Sequence, residues 1–349
     1  MIEIQLKEIN INKPFIGKVN CVNNGNIKVV NKTNDVININ ENIEGITEGD
    51  IVLIEPSGRC CLLYCVNSFS NSFIVTNRCN AKCIMCPQPY AKTNSNELSL
   101  SLEVVNLISD EPSIIGITGG EPTIDRKGLL KLISSIVNKF NNTKIQLLTN
   151  GILLNNYEYT SELALISKGR LSAAVPLYSD IDTIHDSIMG LRGSFWKTIE
   201  GINNLERAGV YIELRNVLMN NNIDRLSEWA KFIYRIIPFV GHVAIMGLEP
   251  MGRAKSNIDF LYVNHDSIGK TLADTIKTFI RVGIKPFIYN YPLCHLPQSL
   301  WQYSEKSISE WKRSYLHQCG DCTQKENCGG FFSSWGIIKD YKIKPITNE

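Results

Sequence analysis

The chain has 349 residues, 44% apolar and 20% charged, with a formal net charge of +2. This is the composition of a globular protein able to bury a full core, and its length suits one large domain with appendages or two domains. It carries no basic footprint for nucleic acid. No apolar run approaches the roughly 20 residues that cross a bilayer, and the start, MIEIQLKEIN, lacks the basic and apolar regions of a secretory signal. A cytoplasmic protein with no nucleic-acid and no membrane partner is expected.

Residues 1–70 are Asn-rich, and short β-type runs (IKVV, DVININ, EGDIVLIEPSGRCCLLYCV) are broken by turn residues. They predict a small β-rich unit. From residue 72 the pattern alternates between strand and helix. FIVT (73–76) and SIIGIT (113–118) read as strands, the second running into Gly119, Gly120, Glu121 and Pro122. Leu129, Leu130, Ile133, Ile136, Val137 and Phe140 keep a helical period behind Asp125, a candidate N-cap. KIQLLTNG (144–151) and RLSAAVPLYS (170–179) are further strands. A helix over 196–208 places Trp196, Ile199, Ile202 and Leu205 on one face. YIELRNVLM (211–219) precedes a helix over 224–236 that packs Leu226, Trp229 and Phe232. HVAIMG (242–247), a helix that includes 273–282, and KPFIYNY (285–291) complete the series.

About six strand–helix units with apolar strands predict an α/β fold with a parallel sheet, a partial (βα)6-type TIM barrel. In such folds chemistry gathers where strands end. Three segments are expected: 1–70, the β-rich unit; 71–291, the partial barrel; and 292–349, a Cys-rich extension.

The eleven cysteines narrow the chemistry. In a reducing compartment clustered cysteines point to metal or catalysis rather than disulfides. Cys79, Cys83 and Cys86 form C-x3-C-x2-C. Three thiolates on a four-iron cluster leave one iron free to bind a small molecule; the alternative is zinc completed by a fourth ligand. Cys60, Cys61 and Cys65, and likewise Cys21, read as ordinary buried residues.

The cysteine triplet with Met85 before its last member, the GGEP at 119–122 and the succession of strand–helix units resemble the radical S-adenosylmethionine (SAM) family over about residues 72–291. The resemblance implies an enzyme whose 4Fe-4S cluster, on Cys79, Cys83 and Cys86, binds and reductively cleaves SAM to give a 5′-deoxyadenosyl radical. It implies that Gly119, Gly120, Glu121 and Pro122 receive the SAM amino group. LYSDIDTIHD (177–186) resembles a strand-four segment of peptide-modifying members, which makes Ser179 a carboxylate contact. Arg192 is a second candidate there, Asn150 a candidate for the ribose, and Arg215 for SAM or substrate. Arg215 lies mid-strand and must be paired if it points inward.

Cys319, Cys322 and Cys328 follow as C-x2-C-x5-C, with Cys294 upstream. They resemble the auxiliary-cluster segment of peptide-modifying members, without a cysteine close behind Cys328. A second 4Fe-4S cluster is expected, structural zinc being the alternative. His295 and His317 read as bystanders. MGLEPMGRAKSNID (246–259), SLWQYSEKSISEWKRSYL (299–316) and CGGFFSS (328–334) resemble the maturases of His-Xaa-Ser repeat systems. This implies a precursor peptide as substrate, a second radical SAM maturase as partner, and a flavodoxin or ferredoxin as electron donor. The readings weighed against it are a radical SAM enzyme acting on a small molecule and a non-enzymatic zinc-binding scaffold. Residues 1–70 are expected to dock substrate or partner.

Overall fold

Alternation of apolar and polar residues builds the first sheet. The computed structural model describes residues 3–7, 11–23, 26–40, 43–88, 96–263, 265–337 and 343–347. Strands β1 (Glu3–Gln5), β2 (Phe15–Asn23), β3 (Asn26–Val30), β4 (Val36–Ile39), β5 (Ile51–Ile54) and β6 (Arg59–Tyr64) pair antiparallel in the order β1-β6-β5-β2-β3-β4. Their inward residues, among them Val19, Ile27, Val29, Ile39, Val52 and Ile54, form one core. Cys60 belongs to it. Burial pushes its thiol up to about 11, so it packs as a small apolar side chain, as the sequence suggested.

The strand–helix series follows: β7 (Ser72–Ile74), α1 (Glu97–Leu107), β8 (Ile114–Thr118), α2 (Arg126–Lys139), β9 (Lys144–Leu148), α3 (Tyr157–Ile166), β10 (Leu171–Pro176), α4 (Asp182–Met189), α5 (Ser194–Arg207), β11 (Tyr211–Val217), α6 (Leu226–Ile236), β12 (His242–Met246), α7 (Arg253–Ser256), α8 (Ile258–Leu261), α9 (His265–Arg281), β13 (Lys285–Tyr289) and β14 (Ser304–Glu305). The strand order is β14-β13-β12-β11-β10-β9-β8-β7. The pairings β7–β8 and β10 through β14 are parallel. Among the described residues β7 to β12 are each followed by helix, as a (βα)6 repeat requires. The α/β fold with its parallel sheet, its antiparallel N-terminal sheet and its C-terminal cysteines is as expected.

The chain forms two compact units. The first comprises Met1–Asn77, Thr93–Gln146 and Ile166–Arg170. In it β7 pairs with β8 (Phe73 opposite Ile117), and α2 buries Leu129, Leu132, Ile133 and Ile136. Asp125 caps α2, accepting from the Gly128 N–H at 3.0 Å.

The second unit comprises Arg78–Lys92, Leu147–Leu165 and Leu171–Glu349. There α6 and α9 pack through Trp229 and Phe279, whose rings meet edge to face at 5.7 Å. One expected face is corrected. Trp196 is 60% exposed; its place is taken by Phe195, whose ring lies 5.6 Å from His185 and 5.7 Å from Phe232. The step from Phe195 to Ile199 is four residues and keeps the stripe that continues to Ile202 and Leu205. Phe232 is only partly buried, and Ile233 fills the core instead. A small antiparallel pair, β15 (Arg313–Ser314) with β16 (Phe331–Phe332), joins the C-terminal cysteine segment. Among the described residues no helix is long and apolar enough to cross a membrane.

Candidate functional site

The three-cysteine loop is held by its backbone. The N–H groups of Lys82 and Ile84 donate to the carbonyls of Met189 and Ile188, both at 2.9 Å, at the end of α4. From the other side Arg253 N–H donates to Cys86 O at 2.9 Å, and Asn257 Nδ2 to Ile84 O at 2.8 Å. Gly252 lies against the loop with φ +56; a Cβ there would stand 2.7 Å from the carbonyls of Cys86 and Pro87. The position needs glycine for both its backbone angle and its contact.

The thiols suit a cluster. Cys79 is exposed, Cys83 and Cys86 partly buried. Ala81 N–H points at Cys79 Sγ at 3.4 Å, and Cys83 Sγ lies 3.6 Å from Met189 Sδ. Burial first, then the neighbouring Cys86 and Cys79, pushes the Cys83 thiol up to about 12. Cys83 therefore ionises only with a cation to bind its sulfur. The donor set fits an iron–sulfur cluster.

Gly119–Pro122 lie in the first unit, at the end of β8. Gly119, at φ +155, has no room for a side chain, because a Cβ would stand 2.3 Å from Thr76 O, which also accepts the Gly120 N–H at 2.8 Å. The close approach made by these glycines is therefore to the chain after β7. Glu121 is 1% exposed, and its carboxylate accepts from Thr123 N–H at 3.0 Å and from the Thr123 hydroxyl. Pro122 starts the short 3-10 turn that Glu121 caps.

The remaining candidates lie in the second unit: Asn150 and Ser179 just past the ends of β9 and β10, Arg192 between α4 and α5, and Arg215 within β11. Asn150 donates through Nδ2 to Asn80 Oδ1 at 2.7 Å and accepts from Ile152 N–H at 3.0 Å. Ser179 is fully buried; its hydroxyl accepts from Ile181 N–H at 3.1 Å and donates to Asp180 Oδ1 at 3.3 Å. Asp180 forms an ion pair with Arg225. Arg192 is exposed, in a loop fixed by Asp186, which accepts from Gly193 N–H, Ser194 Oγ and Phe195 N–H. Arg215 is paired, as its mid-strand place demanded: its Nε is 2.7 Å from Glu213 Oε1. Tyr178 feels both the cysteine loop and Arg215. Its ring is buried and its phenol held well above the usual range by burial, then by Cys83 and Cys86, with Arg215 pulling the other way.

The C-terminal cysteines come together. Cys294, Cys319, Cys322 and Cys328 line one cavity, closed further by Leu293, Tyr315, Phe331 and the segment 343–346. Cys328 Sγ accepts two backbone N–H groups, from Leu293 and Gly330, each at 3.4 Å. Burial, then Cys328, Cys319 and Cys322, pushes Cys294 up to about 12. Four thiols around one cavity, with two amide N–H groups aimed at the Cys328 sulfur, are the donor set of an iron–sulfur cluster, whose thiolates bind separate metal atoms. Among the described residues no three or more His, Cys, Asp or Glu side chains converge on a single-ion site. His295 packs edge to face on Phe331, 6.5 Å between centroids.

Four residues of this frame carry no chemical signature in the sequence: Asn80, Met189, Gly252 and Asn257. Gly252 and Asn257 do lie in the stretch MGLEPMGRAKSNID (246–259) singled out for its resemblance.

The family model described as the Radical SAM superfamily matches residues 73–233. The GTP 3′,8-cyclase of Alkaliphilus metalliredigens is 39% identical over 229 residues, 62% of this chain and 68% of that protein. The antilisterial bacteriocin subtilosin biosynthesis protein AlbA of Bacillus subtilis is 27% identical over 166 residues, 46% of this chain and 35% of that protein. Among solved structures, Streptococcus suis SuiB bound to its precursor peptide SuiA superposes with a TM-score of 0.50 at 14% identity, over 63% of this chain and 49% of that chain, a likeness of fold. The chain spans about half to three-fifths of the length of several curated relatives it matches.

Proposed function

Because this chain belongs to the radical SAM superfamily, whose cofactors are a 4Fe-4S cluster and SAM, and is an enzyme of that family, we propose that it modifies a ribosomally made precursor peptide of His-Xaa-Ser repeat type. The observation that carries the reading is the pair of thiol sites: a three-cysteine loop framed by α4 and residues 252–257, and a separate four-cysteine cavity in the C-terminal segment. Likeness to proteins described as bacteriocin biosynthesis and sporulation killing factor maturation proteins supports it.

Cys79, Cys83 and Cys86 would hold the cluster, which would offer SAM a free iron and the electron for cleaving its C–S bond. The chain's own residues do the rest. Gly119, Gly120, Glu121 and Pro122 are assigned the SAM amino group, Ser179 and Arg192 its carboxylate, Asn150 its ribose, and Arg215 SAM or substrate. The buried Tyr178 and Met189 keep water from the Cys83 side of the loop. Cys294, Cys319, Cys322 and Cys328 hold an auxiliary 4Fe-4S cluster, zinc being the other candidate. A second radical SAM maturase, a flavodoxin or ferredoxin donor, a cytoplasmic location and the three-part division at 70 and 291 belong to the same proposal, with residues 1–70 as the docking unit.

The GTP 3′,8-cyclases among the relatives favour a second reading, a small-molecule substrate. One experiment separates the two. Protein reconstituted without oxygen is given SAM, dithionite and either a His-Xaa-Ser repeat peptide or GTP. Peptide-dependent 5′-deoxyadenosine with a changed peptide mass is the expected result. Turnover of GTP with the peptide unchanged refutes the peptide reading.

A further inference from the structure

A carboxylate stands almost wholly buried on the sheet face that carries Arg215. The Glu213 side chain is 3% exposed, with Oε1 2.7 Å from Arg215 Nε and Oε2 3.6 Å from His242 Nε2. The other imidazole nitrogen, Nδ1, lies 3.0 Å from Tyr211 Oη. Tyr211 is 51% exposed. The register sets Glu213 beside Ala174 on β10 and His242 on β12. Along β11 the residues Tyr211, Glu213 and Arg215 alternate with Ile212 and Leu214, which are buried on the opposite face.

The groups thus form a file: guanidinium, carboxylate, imidazole, phenol. One end is Arg215, whose charge reaches Tyr178, itself within reach of the three cysteines. The other end is in solvent. A buried ion pair is seldom the most stable filling for a sheet face, since apolar replacements of like volume are often neutral or better. A file of ionisable groups running from a candidate active site to water has a functional reason to be there. The remaining ionisable groups facing it are Lys285, Tyr289 and Glu305. Burial holds His242 below the ordinary imidazole value, against Glu213 and with Arg215 and Lys285. Burial and then Glu213 push Tyr289 up to about 12, so it stays protonated and takes no proton away. A neutral imidazole accepts a proton at one nitrogen while releasing one from the other.

We propose that Glu213 takes a proton from an N–H, O–H or S–H group of the substrate, and that His242 and Tyr211 pass one on to water. The substrate X–H bond breaks and its electron pair stays on X. An O–H bond forms on Glu213. That proton moves to His242 Nε2 as Nδ1–H gives its own to Tyr211 Oη, whose proton leaves to solvent. No electron changes hands. Arg215 fixes the carboxylate, besides the contact with SAM or substrate assigned to it above. The assignment rests on the peptide reading above and adds to it the group that handles the proton.

The test counts 5′-deoxyadenosine and modified His-Xaa-Ser peptide in the same vials of reconstituted holoenzyme. Glu213→Gln is expected to form about 100-fold less product per 5′-deoxyadenosine released than wild type, the usual weight of a general base. Glu213→Ala is expected to regain product about tenfold or more when acetate is added. Glu213→Gln product within about threefold of wild type overturns the assignment. So does a joint fall of product and 5′-deoxyadenosine that acetate does not reverse. Wild type that cleaves SAM and leaves the peptide unchanged fails earlier: it removes the peptide reading and the assignment with it. Should Glu213→Gln not fold, Tyr211→Phe at the exposed end decides. A loss of about three- to tenfold in product, with a larger solvent deuterium effect, is expected, and unchanged rates overturn it.

Discussion

Asn150 Nδ2 donates to Asn80 Oδ1 at 2.7 Å, tying the residue after Cys79 to the end of β9. The same Asn150 accepts from Ile152 N–H, and its carbonyl accepts from Thr198 Oγ1 at 3.0 Å. Position 150 is thus a joint between the cysteine loop, β9 and α5.

Asn150→Ala should lower stability by about 1–2 kcal/mol, the cost of leaving a buried partner unsatisfied. Asn80→Ala should cost less, and the double variant should show a coupling of about 1 kcal/mol. Denaturant unfolding of the four proteins measures it; strictly additive effects would remove the joint.

Gly252→Ala should reduce iron bound after reconstitution to about half, because the new Cβ stands 2.7 Å from the Cys86 and Pro87 carbonyls and displaces one of two clusters. Gly283→Ala is the control. It too has a positive φ, +78, but nothing within 4 Å of a Cβ. It should lose about 1 kcal/mol of stability and no iron.

Metal analysis separates the two thiol sites. Wild type should carry about eight irons, and Cys79/Cys83/Cys86→Ala about four. Replacing Cys294, Cys319, Cys322 and Cys328 instead should leave the other four. One zinc remaining in the first variant, with no iron, would make the C-terminal site structural.

Acid should weaken the fold through His185. The ring is fully buried, its Nδ1 accepting the Tyr178 N–H at 3.2 Å. Burial lowers its pKa from 6.5 to about 4. The unfolded chain therefore takes up the proton first as pH falls. This contribution to stability is complete above pH 6.5 and declines towards pH 4, by about 3 kcal/mol in all. Unfolding at pH 7 and pH 5 should differ by about 2 kcal/mol from this group alone. His185→Gln, which keeps an acceptor for Tyr178 N–H, should flatten that difference.

Much of this was legible in the sequence because periodicity reports burial. Apolar strands bounded by turn residues gave β8 to β13, and the grouping of Cys294 with Cys319, Cys322 and Cys328 is matched by a shared cavity. Trp196 misled because hydrophobicity does not say which of two adjacent aromatics, Phe195 or Trp196, faces inward. The frame of the cysteine loop was hidden for another reason. Lys82, Ile84 and Cys86 are held mainly through backbone atoms, which every residue shares. Glu213 carries no signal in the sequence, because a carboxylate in a strand is ambiguous until its neighbours are known.

The reach of those backbone bonds sets a timetable for biogenesis. Asn257 lies 173 residues beyond Ile84, whose carbonyl it grips. A ribosome adding 5–20 residues per second needs roughly 10–35 seconds to cover that distance. Throughout that interval the three thiols are on an emerging chain that still lacks Asn257, open to oxidants and to competing zinc. The loop gains its full frame only once residues 253–257 have been made, and expression hosts that translate fast but assemble clusters slowly should yield full-length protein short of iron.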